Sequence, residues 1–495
     1  MRTTFLFLFI IIILSFYFPH KSTAQSPLTI ESNTVVSTST QSPFWIQSNR
    51  HGEYSSRGNQ IFTKAAYHDL IEITNDINLL YGADLISRPG TQSTLSFNQG
   101  YLKIQGYGLE IAGGRFHNTS PINDDLLGMG SLGVSTNATP IPQIRIGLKD
   151  WTLIPFTNEF IEIKGHIAHG WLGSRRFTDN VLVHEKVGHM RFGGSLPVNF
   201  YGGLAHYVKW GGDHPVEGDI PTRLTDFFNV FFALGGDEFT PGQEQAFILG
   251  DHLGAWDFGF FIELNEADIK IYRQMPIETK DNVKFKSLQD ALTGISFNFS
   301  ENSRIPLNRF VYEFLYTMYQ DGPRRPNIVN GLNCVENPGT CRDDYMGNEN
   351  YYNHGLYRTG WAYNTRGIAN PLFTVSEENL GIVNNRIIAH HMGFQSVFGG
   401  TTFTGKATFS RNYGKRCDNR IPDLGENELF GVECENIVDT TIERSLDQWS
   451  FLLGANIPLQ TEQNISLMVE LAFDNGRLAV NQFGGLLGIQ WKPLQ

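Results

Sequence analysis

Trp256, Phe258, Phe260, Ile262 and Leu264 put an apolar side chain at every second position, while Asp257, Gly259 and Glu263 fill most of the positions between them. Successive side chains of a β-strand point to opposite faces, so the pattern predicts a strand with one apolar and one polar face. The alternation returns at Ile295, Phe297 and Phe299 against Ser296 and Asn298, and at Leu467, Val469, Leu471 and Phe473 against Glu470. From about Ile61 onward strand follows strand, roughly sixteen to nineteen in all, and closure of a single-chain barrel favours an even number. The pattern predicts an all-β chain folded as a transmembrane antiparallel β-barrel.

One insertion breaks this rhythm. Leu224, Phe227, Phe228, Phe231 and Phe232 recur at helical spacing with Asp226 and Asn229 opposite, which predicts a short amphipathic helix over 222–234. Two positions are expected for it: inside the lumen, narrowing or plugging it, or across one barrel mouth. Two further departures, about 320–354 and 414–445, read as long loops facing outward.

The first residues read as a secretory signal over 1–24, with Arg2 ahead of an apolar run from Phe5 to Phe18 and a Ser22-Thr23-Ala24 cleavage site. Beyond it no stretch approaches the roughly 18 to 20 apolar residues of a spanning helix, so any crossing is made by strands. The polar, irregular stretch 25–60 reads as an N-terminal periplasmic segment, with a place against or inside the barrel as a second expectation, and 61–495 as the barrel.

Composition adds limits. The content of 51 Gly and 13% aromatics suits strands with lipid-facing apolar and lumen-facing polar sides, and a net charge of −12 argues against nucleic acid as the main partner. Cys334 with Cys341 and Cys417 with Cys434 form two local pairs in polar stretches, which in an exported chain read as disulfide staples rather than zinc ligands.

Catalytic motifs are imitated but not met. His184-Glu185 is followed by His189, so the histidines are five apart on a strand and face opposite sides, not one helical face around zinc. The same parity separates His166 from His169 and His390 from His391. Gly128, Gly130 and Gly133 match a nucleotide-loop spacing with no helix after them, and read as a flexible loop. No catalytic residue, metal ligand or cofactor is assigned. Binding is the remaining chemistry. Arg324, Arg325 and Arg342 surround the first cysteine pair and Lys415, Arg416 and Arg420 the second, a guanidinium-rich surface suited to a polyanionic polymer. Tyr345, Tyr351, Tyr352 and Tyr357 offer rings that could stack on sugars, or pack as loop and girdle residues.

Two ensembles of motifs resemble a known family. The first is Lys164-Gly-His-Ile-Ala-His-Gly-Trp171, then His184-Glu185-Lys186, Gly202-Gly-Leu-Ala-His206 and Lys209-Trp210-Gly211-Gly212. The second is Tyr312-Glu313-Phe314, Tyr351-Tyr352-Asn353-His354-Gly355, Gly360-Trp361-Ala362-Tyr363 and Asn370-Pro371-Leu372-Phe373, with Pro43-Phe44-Trp45 and Asn49-Arg50-His51-Gly52 near the start. Together they resemble the capsule-assembly Wzi family as it occurs in Bacteroidetes-type bacteria. The resemblance implies an outer-membrane barrel of about eighteen strands that acts as a lectin for capsular or exported polysaccharide, without catalysis. The implied partners are that polysaccharide, outer-membrane lipid and the polysaccharide export machinery. The chain departs from the best-known members in that 25–60 is too short and polar for a periplasmic helical bundle, on which contact with that machinery would depend. A porin or substrate-specific channel is the alternative reading of the same barrel.

Overall fold

The structure is a computed structural model that describes residues 26–90, 95–118, 122–241, 248–285, 287–300, 303, 305–320, 349–415, 426–427, 432–433, 445–459 and 464–493. The signal segment, all four cysteines, Arg324, Arg325, Arg342, Tyr345, Arg416 and Arg420 lie outside the described residues.

Eighteen antiparallel strands close into a barrel. They are β1 (Leu28–Ser37), β2 (Gln60–Thr74), β3 (Ile77–Ser87), β4 (Leu95–Gly106), β5 (Leu109–Arg115), β6 (Gln143–Leu148), β7 (Ile161–Trp171), β8 (Leu182–Phe192) and β9 (Val198–Trp210). The circuit continues through β10 (Asp251–Glu263), β11 (Ala267–Ile277), β12 (Ala291–Phe299), β13 (Arg309–Tyr316), β14 (Ile387–Phe398), β15 (Thr401–Asn412), β16 (Leu446–Leu459), β17 (Ile465–Gly476) and β18 (Gln482–Trp491). Each strand pairs with its neighbours in sequence, and β1 closes the ring by pairing with both β2 (Val35 opposite Gln60) and β18 (Val35 opposite Leu486). No sheet edge is left to expose unpaired N–H and C=O groups in lipid.

The barrel therefore begins at Leu28, not near Ile61. Of the stretch read as a periplasmic segment, 28–37 is a wall strand, and 38–59 is irregular apart from one short helix.

Alternation sets the two faces. Leu109 and Ile111, Ile144 and Ile146, Leu471 and Phe473, and Leu487, Ile489 and Trp491 are exposed on the outer surface. Their in-between neighbours point inward, where Asp257, Glu185 and Asp474 are buried. One end of the barrel carries tight turns, at 75–76, 107–108 and 399–400, while the other carries the long connections 116–142, 211–250 and 317–386.

The lumen is filled toward its long-loop end. Three connections from the long-loop end, 38–59, 122–142 and 349–386, fold inward and build a core of Trp45, Ile46, Met129, Leu132, Tyr352 and Trp361 against inward wall residues such as Tyr207, Leu315 and Ile387. Helix α1 (Phe44–Gln47) opens the first of them, with its Trp45 indole donating to Thr408 on β15 and the Phe44 amide donating to Asp474 on β17.

Helix α2 (Leu224–Phe232) forms where the 3.6 period places it, with Asp226 in its first turn accepting from the Arg223 amide. Its position differs from both expected ones. Phe227 and Val230 pack on Leu182, Val208 and Trp210, which share the outward parity of exposed Met190 and Phe200, so α2 lies on the outer wall and neither plugs the lumen nor caps a mouth.

Candidate functional site

The family-like motifs meet inside the plug. The Trp361 indole donates to Gly133 O (2.7 Å), the Asn370 amide to Gly130 O (3.0 Å), and the Tyr352 hydroxyl to Leu132 O (2.8 Å), so the third plug segment is bonded to the second. Arg50 bonds Glu470 on β17 at 2.7 Å, and Glu313 on β13 accepts from the Met129 amide and the Tyr272 hydroxyl. Gly128, Gly130 and Gly133 are thus not a flexible loop. A Cβ on Gly133 would sit 2.7 Å from the Tyr207 ring, and Gly130 adopts φ +105°, so the glycines permit close packing in the lumen.

The tyrosines change role for the same reason. Tyr351, Tyr352 and Tyr357 are 0, 3 and 1% exposed. The Tyr351 hydroxyl donates to Asp290 (2.8 Å), and the Tyr352 ring stacks obliquely on Phe373 (4.7 Å), so none of the three offers a free face to a sugar. Burial pushes the Asp290 carboxyl up to about 6 despite the hydrogen bonds it accepts from Tyr319, Gln320 and Tyr351. Lys415, read from sequence as an exposed polymer contact, is also buried, beside the Gly414 amide that donates to Asn384.

Charge lines the wall around this apolar plug. Lys209 pairs with Asp251 (2.6 Å), His166 with Glu185 (2.7 Å) and Arg145 with Glu110 (2.8 Å), so inward charges are largely neutralised in pairs. Toward the tight-turn end, Arg191 lies over Trp151 (5.0 Å) and Phe261 (5.6 Å), and Lys270 over Phe261 (5.5 Å). Sequence reading missed this lining, because pairing across strands depends on register. The parity argument for the histidines does hold: His189 faces inward to Asp257 (3.2 Å) while His184 faces outward, and His391 is buried inside while His390 bonds Tyr312 on the outer face.

Glu53, Asp84 and His117 bring ligand-type atoms within 4.8 Å of one another. Both carboxylates are engaged: Lys64 sits 3.0 Å from Glu53, and His68 and Gln99 bond Asp84 at 2.6 and 2.7 Å. His117 stacks on His51 with ring centroids 3.4 Å apart. Burial holds both imidazoles below their ordinary value, His117 at about 4, so the pair is neutral near pH 7. Between plug and wall, a cleft bounded by His51, Phe116, Thr139, Gln143 and Trp361 has about 30 Å³, room for a water or two but not for a sugar ring. No catalytic constellation and no pore stands out among the described residues.

The comparisons agree with this architecture. The sequence matches the family described as capsule assembly protein Wzi over residues 29–379. No curated protein sequence matches it. Among solved structures, the chain is similar to Wzi of Escherichia coli, described as an outer-membrane protein involved in group 1 capsule assembly and a carbohydrate-binding β-barrel. The likeness has a TM-score of 0.59 at 12% identity and covers 94% of this chain and 84% of that one. Pseudomonas aeruginosa OccK5 follows at a TM-score of 0.45 and 8% identity, covering 95% and 97%. An anion-selective porin from Comamonas acidovorans follows at 0.37 and 8%, covering 94% and 98%. The barrel is an outer-membrane one. Bonded through its motif residues into a plugged eighteen-stranded wall, the chain belongs to the Wzi family of capsule assembly proteins.

Proposed function

We propose that the protein is a non-enzymatic lectin that holds capsular or exported polysaccharide at the cell surface, with the barrel as its membrane anchor. The observation that carries this is the plugged lumen: three separate connections pack inside it, which leaves the outward loops as the proposed place for a polymer. The carbohydrate-binding description of the E. coli relative points the same way. Arg324, Arg325, Arg342, Arg416 and Arg420, with Tyr345, are the proposed polymer contacts. Many weak contacts repeated along a chain retain it by avidity, without a deep pocket. The export machinery is a proposed second partner, and residues 1–24 a proposed signal cleaved after Ala24.

Deleting the gene should strip polysaccharide from the cell surface while total synthesis stays unchanged. Unaltered surface polysaccharide in the deletion strain would refute the proposal. Planar-bilayer recordings of the purified protein should show no large, stable currents, whereas steady conductance would favour the porin reading.

A further inference from the structure

The outer wall carries a polar cluster where a lipid-facing surface is normally apolar. On β7 to β10, His169, His184, Lys186, His206 and His252 share the outward parity of exposed Ile167, Met190, Val198 and Phe260. Helix α2 lies over the upper part of the cluster: its Phe227 ring is 5.9 Å from His169 and 5.3 Å from His184, and Phe231 is 5.2 Å from His184. Leu224, Phe228 and Phe232 on the other side of the helix, and Leu234 and Phe239 after it, are exposed. A helix apolar on its outer side, at the long-loop end and outside the wall, sits where headgroups of the outer leaflet meet their acyl chains.

Below α2 the cluster opens into a cleft of about 380 Å³ bounded by Ile167, Lys186, Gly188, Leu204 and His206. Gly188 is exposed and borders open space, where a Cβ would meet nothing within 4 Å, so a side chain placed there would enter the cleft. The Lys186 ammonium reaches up to the Phe231 carbonyl and lies 4.7 Å from the Phe231 ring, but no carboxylate among the described residues pairs with it. The histidines beside it are ordered by a chain. His252 Nε2 donates to Leu249 O (2.8 Å), so its Nδ1 accepts from His206 Nε2 (2.9 Å). An unpaired cation on a lipid-facing wall calls for an anion delivered from the membrane, and an apolar slot directly beneath it suits a hydrocarbon chain.

We propose that this cleft is a binding site for a phosphate-bearing lipid of the outer leaflet, with the phosphate against the Lys186 ammonium and one acyl chain lying along Gly188 and Leu204. The site is independent of whatever the loops bind.

The test uses native mass spectrometry of the full-length barrel in detergent, with diphosphorylated lipid A and its dephosphorylated counterpart as probes. The wild type should retain the phosphorylated lipid at least tenfold better. Lys186→Gln should lose that preference, Lys186→Arg should keep it, and inorganic phosphate alone should not bind. Because Lys186→Gln also releases a helix contact, Gly188→Leu provides a second variant that fills the slot without touching the ammonium or α2, and it should weaken retention by a similar factor. Equal retention of the two lipids, or undiminished retention by both Lys186→Gln and Gly188→Leu in protein that still migrates as a closed barrel, would overturn the proposal. So would occupation of this face by a second copy of the chain in place of lipid.

Discussion

Trp361 shows what single residues contribute. Its indole joins two plug segments through Gly133 O, and its ring packs on Tyr207 of the wall (5.5 Å between centroids). Truncating a buried Trp to Ala typically costs about 3–5 kcal/mol, and here the loss falls on the plug rather than on the strand ladder. Trp361→Ala should therefore leave a barrel that still migrates faster before boiling than after, yet conducts ions in planar bilayers where the wild type does not. The stacked pair His51 and His117 adds a pH dependence. Both imidazoles are held below their ordinary value, so their neutral forms stabilise the plug above about pH 6.5, and that contribution declines as pH falls toward about 4. Hydrogen-exchange protection factors over 44–57, taken against the intrinsic rate at each pH, should fall between pH 6 and 4, and His51→Leu with His117→Leu should flatten the change. The sequence marked Trp361, Asn370 and Arg50 as belonging together but not that they lie inside, because glycine, asparagine and tyrosine serve equally in an outward loop and in a hydrogen-bonded plug.

Strands were legible to the degree that their outer face is strongly apolar. The run Trp256 to Ile262 is β10, with Trp256, Phe258 and Phe260 outward and Asp257 and Gly259 inward, as its period requires. β1 escaped notice because its alternating positions include Ser32, Thr34 and Asn33, residues whose hydropathy barely separates the two faces. It is nonetheless the seam. Proline at both Asn33 and Val35 would remove ladder donors and restrict the chain at the joint with β2 and β18. That double variant should lose the difference in gel migration between boiled and unboiled samples, whereas Ser32→Thr should keep it. α2 was legible as a helix, but its place was not, since Phe227 and Phe228 are equally apolar and one meets protein while the other meets the exterior.

At the scale of the whole molecule, the proposed polymer contacts are loop arginines outside the closed wall and its plug. Contacts of this kind contribute about 1 kcal/mol or less each and are screened over about 10 Å at 0.1 M salt. Single substitutions should therefore be nearly silent, while Arg324→Ala, Arg325→Ala, Arg416→Ala and Arg420→Ala together should weaken retention of an acidic polymer. Added salt should weaken the wild type in the same direction. Salt-insensitive, unchanged retention in the quadruple variant would transfer the role to aromatic contacts such as Tyr345. The fold class was legible because one period of two recurs along the chain; the plug was not, since its cohesion joins residues more than 200 positions apart, such as Gly130 with Asn370.

The seam between β1 and β18 also imposes an order on biogenesis. The plug draws on connections after β1, β5 and β13, while the wall is completed only when the strand made last meets the strand made first. A condensed interior that already touches strands from both sides of the seam holds the first and last strands near each other. Variants that loosen the plug should therefore lengthen the time the open-sided intermediate spends on whatever machinery inserts it.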